Sequence, residues 1–280
     1  LVSPLLLQRA RDRASFIVCA RDHLIGMRFA SLGSGSRGNA LVVEGGGARV
    51  MVDCGFPYAE TVARLQRLGC AADDIDAIVV THEHDDHVGG VARFAARSNI
   101  PVYMTAGTFA AVASKFGKVR VHCFDPHRPF ELGGVQVQPF PVPHDAREPA
   151  QMVFDDGRHR LGILTDVGVA TPHIRAMLSG CSALMLECNH DARLLREGPY
   201  PPSLKSRISS RLGHMRNEDA AALLASLDRS KLTHIVAAHL SDTNNTPDLA
   251  RVALATVLGS RPEDILVATQ NEGIGWIVLE

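Results

Sequence analysis

The apolar pattern of the chain runs in alternating elements as far as residue 116 and in consecutive strands from residue 135 onwards. Met27 to Leu32, Ala40 to Glu44 and Arg49 to Asp53 read as strands, the last two joined as a hairpin across Gly45-Gly46-Gly47. Val62, Leu65 and Leu68 recur at helical spacing and Gly69 stops them, so Tyr58 to Leu68 is predicted as a helix. Asp76 to Val80 follows as a buried strand. Val91 to Arg97 is a predicted helix, Pro101 to Met104 a strand, and Thr105 or Thr108 caps a helix running towards Phe116. Such alternation belongs to an α/β layered protein.

From Val135 the pattern changes. Strands are predicted at Val135 to Phe140, Gln151 to Phe154 and His159 to Thr165, the last after the turn Asp155-Asp156-Gly157, and again at Ala183 to Glu187, His234 to Ala238 and Ile274 to Leu279. Helices are predicted at Pro172 to Leu178, Asn217 to Leu227 and Pro247 to Leu258. The expected architecture is an αββα sandwich of the α/β (α+β) class, two mixed sheets face to face with helices outside.

At 280 residues with 46% apolar content, one domain over residues 27–280 is expected. Residues 1–26 read as an extension, disordered or a start-site artefact. Leu5-Leu6-Leu7 precedes Arg9, Arg11, Arg13 and Arg21, the wrong polarity for a secretory signal. A mitochondrial-type targeting peptide is the alternative, with Asp12 and Asp22 against it. No apolar stretch approaches the ~18 residues of a membrane span. A net charge of −1 requires any nucleic-acid partner to be met by a local basic patch. The six cysteines are scattered without Cys-x-x-Cys spacing, which points to reduced thiols and a cytoplasmic location, with Cys54 and Cys188 as small core residues.

The chemistry centres on Thr81-His82-Glu83-His84-Asp85-Asp86-His87, closed by Gly89-Gly90. A helix turns about 200° between positions two apart and would splay His82 from His84. The segment is therefore expected to be a loop leaving the strand in extended geometry, so that His82, His84 and Asp86 converge while His87 faces a second centre. That spacing suggests two metal ions. Imidazole and carboxylate suit zinc, manganese or iron, and the absence of cysteine argues against a closed structural zinc site. Upstream, Ser31 to Asn39 carries glycines that permit either a tight turn or an anion cradle.

His82, His84, Asp86 and His87 match the His-x-His-x-Asp-His signature residue for residue, and the chain resembles the metallo-β-lactamase superfamily. The resemblance adds His144 in Pro-Val-Pro-His, Asp166 in Leu-Thr-Asp and His239 after Ile-Val-Ala-Ala, with Asp53 of Val-Met-Val-Asp-Cys-Gly as an orienting residue. It implies that His82, His84 and His144 hold one divalent ion, zinc or manganese, that Asp86, His87 and His239 hold another, and that Asp166 bridges them. Asp86 would also orient the attacking water or accept its proton.

A second segment is more specific. Leu186-Glu187-Cys188-Asn189-His190-Asp191, Gly198-Pro199-Tyr200-Pro201, Leu204-Lys205-Ser206-Arg207-Ile208 and Gly213-His214-Met215-Arg216-Asn217 resemble the YycJ-like (WalJ/VicX) family. Met215, Arg216 and Cys188 depart from its usual Leu, Ser and Ser, and Arg37 departs from its glycine loop. The resemblance implies a phosphodiester-cleaving DNA or RNA nuclease of exonuclease type, with His214 as general acid and Ser36, Asn39, Asn189, His190, Lys205 and Arg207 as substrate contacts. Lys205, Arg207 and Arg211 read equally well as a phosphate track or as a solvated helix face. Rival functions are a glyoxalase-II-like thioester or lactone hydrolase, a small-molecule phosphodiesterase, and a non-enzymatic regulator of a signalling pathway. A flavodiiron-type oxidoreductase would normally have Glu in place of His84.

Overall fold

A computed structural model describes residues 26–280, so the readings made for the extension over 1–26 lie outside the described residues up to Gly26. Fourteen strands form two seven-stranded sheets. The first contains β1 (Arg28–Gly33), β2 (Ala40–Gly45), β3 (Ala48–Val52), β4 (Ala77–Val79), β5 (Val102–Thr105), β6 (Val121–Phe124) and, from the far end of the chain, β14 (Ile274–Val278), in the order β14-β1-β2-β3-β4-β5-β6. The second contains β7 (Phe130–Leu132), β8 (Val135–Pro141), β9 (Ala150–Asp155), β10 (Arg160–Leu164), β11 (Ala183–Glu187), β12 (His234–Ala238) and β13 (Leu266–Val267), in the order β13-β12-β11-β10-β9-β8-β7. Each sheet is mixed: β3 to β6 run parallel, as do β10 to β13, and the remaining pairs are antiparallel.

Strands buried on both faces explain the continuous apolar runs. In β11, Ala183 and Met185 face the seam between the sheets, where they meet Phe29, Val43, Val79 and Phe154, while Leu184 and Leu186 face outward. Over that outer face lie α5 (Pro172–Leu178), α8 (Asn217–Ser226) and α9 (Pro247–Leu258), anchored by Ile174, Leu223 and Leu254. The first sheet is covered by α1 (Tyr58–Arg67), α3 (Val91–Ser98) and α4 (Ala106–Phe116) through Leu65, Phe94 and Phe116. The four layers are those expected from the apolar pattern.

Shorter elements had weaker signals. One helical turn, α2 (Asp85–Val88), and two short helices, α6 (Ala192–Glu197) and α7 (Pro202–Ile208), fall in stretches too brief or too polar to show a period, and β6, β7 and β13 have four residues or fewer. Opposite the functional rim the two sheets touch through their hairpins: Gly134 N–H donates to Gly46 O at 2.9 Å, and a Cβ on Gly46 would overlap Gly134. Cys54 and Cys188 are fully buried, and burial pushes the Cys54 thiol up to about 12. Among the described residues, no helix is long and apolar enough to cross a membrane.

Candidate metal centre

One rim receives the C-terminal ends of six strands. β10, β11 and β12 are parallel, and β8 points with β10 because both are antiparallel to β9. From the second sheet this rim takes His144 beyond β8, Asp166 beyond β10, Glu187 at the end of β11 and His239 beyond β12. From the first sheet it takes Asp53 beyond β3 and the histidine segment beyond β4. In open α/β sheets the carboxyl ends of the strands are the usual place for a ligand site.

The backbone there is under strain. Among the described residues, four non-glycine residues have left-handed φ, namely Asp53 (59°), Asn99 (53°), Asp166 (54°) and His239 (55°). Asn99 caps the end of α3, a routine use of that conformation. The other three are strand-end site residues, each held in a geometry that disfavours an L side chain by roughly 1–2 kcal/mol. The turn carries each side chain off the strand line and over the end of the sheets.

His84 keeps extended dihedrals (φ −63°, ψ 144°) and forms the N-cap of α2, so Asp86 and His87 sit on a helical turn rather than on the loop expected for the whole segment. This corrects the grouping inferred from extended geometry, because Asp86 swings away from His82 and His84 to the side of His87. Backbone contacts lock the turn: Asn39 N–H donates to Asp86 O at 2.8 Å and Cys54 N–H to His87 O at 2.8 Å. A Cβ on Gly55 would overlap the Asp86 carbonyl, so glycine is required there for this close approach.

Among the described residues, four overlapping groups of potential ligands result: His82, His84 and His144; Asp86, His87 and His239; His82, His87 and Asp166; and Asp166, Glu187, His214 and His239. In the first, His84 Nδ1 lies 3.0 Å from His82 Nε2 and 3.3 Å from His144 Nε2. Burial, reinforced by the charge of His87, pushes the His82 pKa far down, and burial lowers that of His144. Three imidazoles with nitrogens this close form a donor set suited to a cation. In the second group, Asp86 Oδ2 lies 3.4 Å from His87 Nε2 and 3.6 Å from His239 Nε2. Asp166 stands between these two groups, with Oδ2 3.1 Å from His87 Nε2 and Oδ1 3.6 Å from His239 Nε2 and 3.9 Å from His144 Nε2.

Electrostatics of the second group also favour a cation. Burial opposes charge on His87 and His239, but Asp166, Asp53 and Asp86 raise the first well above its ordinary value, and Asp166, Asp86 and Glu187 lift the second to about 10. His239 Nε2 is nevertheless buried without a hydrogen-bond partner. The residues thus fit a divalent metal, which would supply the positive charge that protons otherwise carry. Asp53 accepts from Thr81 N–H and Thr81 Oγ–H, both at 2.8 Å, and from His87 Nδ1 at 2.7 Å, fixing the ring so that Nε2 faces the site.

Glu187 lies within one of the motifs of the resemblance but is given no role by the sequence. Its carboxylate is fully buried and accepts from Val167 N–H at 2.9 Å, Met215 N–H at 3.3 Å, His214 Nδ1 at 2.8 Å and His239 Nδ1 at 3.2 Å. Burial opposes its ionisation, yet the two histidines hold its pKa at about 2. The available signal was a charged residue ending the apolar run Ala183-Leu184-Met185-Leu186, the same position that Asp53 takes after Val52.

His214 borders a cavity of about 370 Å³ together with His84, Asp86, Asp166 and His239. Of the proposed substrate contacts, Ser36, Asn189 and Arg207 line that cavity. Asn39 instead braces the glycine loop from within, its Oδ1 accepting from Gly35 N–H at 2.9 Å. That loop is a support as well as a rim, since Ser34 Oγ accepts from His239 N–H at 2.9 Å. Lys205 lies outside the lining and donates to Arg196 O at 2.7 Å; Arg211 is also outside it. Tyr200 and Asp145 line the cavity and were not singled out from the sequence, although Tyr200 lies within a quoted motif.

His190 does not reach the cavity. Its ring is fully buried, and burial pushes its pKa down to about 4. Above about pH 6.5 the imidazole is neutral in folded and unfolded chains alike; between that pH and about 4 only the unfolded chain gains the proton, so folding stability is lost as pH falls. The full loss is about 3 kcal/mol. His190→Gln should show a correspondingly weaker pH dependence of urea unfolding in this window than the wild type, and parallel curves would refute the assignment.

Comparison with known proteins agrees with this geometry. Residues 48–235 match the family described as the beta-lactamase superfamily domain. The chain is 35% identical over 237 residues to the exodeoxyribonuclease YycJ of Bacillus anthracis, covering 84% of this chain and 90% of that one. It is 32% identical over 239 residues to the exodeoxyribonuclease WalJ of Streptococcus pneumoniae, covering 84% and 89%. Among solved structures, the metallo-beta-lactamase fold protein YhfI from Bacillus subtilis superposes with a TM-score of 0.71 at 16% identity, over 90% of this chain and 99% of that one, a likeness of fold. With a ligand-bearing rim between two mixed sheets and relatives matched along most of their length, this chain belongs to the beta-lactamase superfamily and, within it, to the YycJ-like family.

Proposed function

We propose that the protein is a binuclear, metal-dependent phosphodiesterase that degrades nucleic acid, DNA in particular, from an end. The observation that carries this reading is the pairing of two ligand groups across Asp166 with a further histidine, His214, held beside them by Glu187 on the same cavity. The names of the YycJ and WalJ relatives support a nucleic-acid substrate. A cytoplasmic location is supported by the free thiols of Cys54, Cys70, Cys123, Cys181 and Cys188.

His82, His84 and His144 would hold one divalent ion, Asp86, His87 and His239 the other, and Asp166 both. Zinc or manganese bound there would supply Lewis acidity towards the phosphate and make water a better nucleophile at neutral pH. The remaining roles fall to this chain's own side chains. Asp86 accepts a proton from the attacking water or orients it, and Asp53 keeps His87 in the required tautomer. His214 uses Nδ1 to bond Glu187, which leaves Nε2 for the leaving oxygen. Burial works against its protonation, but the Glu187 carboxylate raises its pKa, which favours the protonated form that a general acid needs.

Arg207 offers the cationic contact on the cavity, where it is steered by Asp145 at 2.6 Å. Arg207→Ala should weaken binding about equally across sequences and flatten the logarithmic salt dependence by about 0.7 for a single strand. An unchanged slope would remove Arg207 from phosphate binding.

The test of the reading is metal analysis together with digestion of end-labelled single- and double-stranded DNA and RNA, with a thioester as control. Progressive loss of nucleotides from one end of DNA in manganese or zinc is the expected result. Hydrolysis of the thioester alone would replace it with a glyoxalase-type activity.

A further inference from the structure

We propose that the nucleic-acid strand continues from the metal cavity along a basic track that crosses the segment after β4 and ends between α3 and the C-terminal end of α4. This rests on the nuclease reading and adds a surface for the part of the strand that is not being cut. Three depressions join end to end. Ser36, Asp85 and Asp86 line both the metal cavity and a second cleft bounded by Arg37, Gly55 and Tyr58. Gly89 and Arg93 line both that cleft and a third, a groove of about 670 Å³.

The third groove differs from the first in charge. It is lined by Arg93, Lys115, Lys118 and Arg120 and by no carboxylate, although the chain as a whole carries a net charge of −1. Lys115 is occupied by Asp85 at 2.8 Å, and Arg120 donates to Asn99 O at 3.2 Å. Arg93 and Lys118 are exposed and, among the described residues, make no ion pair or hydrogen bond. The metal cavity, in contrast, is lined by Asp85, Asp86, Asp145 and Asp166 against Arg207. A polyanion is repelled by that carboxylate set wherever cations do not cover it, so attraction must come from neighbouring surface. The four cations of this groove, two of them unpaired and all reached through continuous clefts, supply it, and a phosphate backbone, with charges repeating along its length, is the matching partner.

The experiment uses metal-loaded protein, a 5′-fluorescein single-stranded 20-mer with phosphorothioate linkages for anisotropy, the ordinary 20-mer for cleavage, and bis-p-nitrophenyl phosphate as a substrate too short to reach the track. The double variant Arg93→Glu/Lys118→Glu should bind the 20-mer about tenfold or more weakly and raise its KM, while hydrolysis of the aryl ester is unchanged. Arg93→Ala/Lys118→Ala should lower the logarithmic salt slope by about 1.4, two contacts at ~0.7 each. Wild-type cleavage of the 20-mer with unchanged binding and KM in both variants would overturn the track alone. Failure of the wild type to bind or cut the 20-mer would overturn both the track and the nuclease reading. Equally tight binding of poly-L-glutamate would overturn the assignment to a phosphate chain.

Discussion

Replacing His214 by alanine is expected to slow cleavage of DNA by ~10²–10⁴-fold while leaving the metal content and the fold intact. The side chain is not in the two groups proposed to hold metal, although it clusters with Asp166, Glu187 and His239, and its nearest polar contacts are Glu187 at 2.8 Å and, more distantly, Asp166 at 3.7 Å. A nucleotide oxygen is a poor leaving group and needs a proton as its bond to phosphorus breaks. p-Nitrophenolate leaves without one, so hydrolysis of bis-p-nitrophenyl phosphate should fall far less. Equal losses on both substrates would make His214 a positioning residue for phosphate, and full activity on DNA would remove it from the mechanism. Loss of Glu187 is a different perturbation, because that carboxylate also holds His239.

Asp166→Ala is expected to reduce bound metal towards one ion per chain and to abolish turnover. Asp166 is the carboxylate placed within 4 Å of His87, His144 and His239 at once, so it faces both groups. Its pKa lies far below the ordinary value: burial opposes ionisation, but the charges of His239 and His87 prevail. Removing it deletes the shared negative charge. Metal analysis after gel filtration measures the effect directly, and two tightly retained ions would show that Asp166 is not the bridge.

The layers of the sandwich were legible because strands buried on both faces have few sequence alternatives: Ala183-Leu184-Met185-Leu186 cannot be a surface element, and Tyr58 to Leu68 repeats at a helical period. Asp53, the histidine segment and Asp166 were readable for a related reason, since each interrupts or follows an apolar run where a sheet meets water. What the sequence did not reveal was side-chain direction. His190 and Asn189 are neighbours with similar local signals, yet the bridge pairing His190 with Arg216 turns the imidazole inward while Asn189 borders the cavity. Lys205 and Arg207 likewise lie two apart on α7, and only the arginine faces the site. Glu187 was hidden by its context, because a lone carboxylate at the end of a strand has meaning only once His214 and His239, 27 and 52 residues further on, are folded against it.

The candidate ligands come from both sheets, Asp86 and His87 from the first and His144, Asp166 and His239 from the second, whereas the opposite rim is closed by a backbone contact between Gly46 and Gly134. The ligand-bearing rim is already joined by hydrogen bonds between the sheets, Ala150 N–H to Thr81 O at 3.0 Å and His239 N–H to Ser34 Oγ at 2.9 Å, and a cation held by residues of both sheets would add a further tie. An ion that binds only the folded chain stabilises it by about 2.7 kcal/mol when present at 100 times its dissociation constant. Metal bound there would then influence how long the chain survives as a folded object as well as how fast it works, and starvation for the ion would weaken catalysis and structural cohesion together.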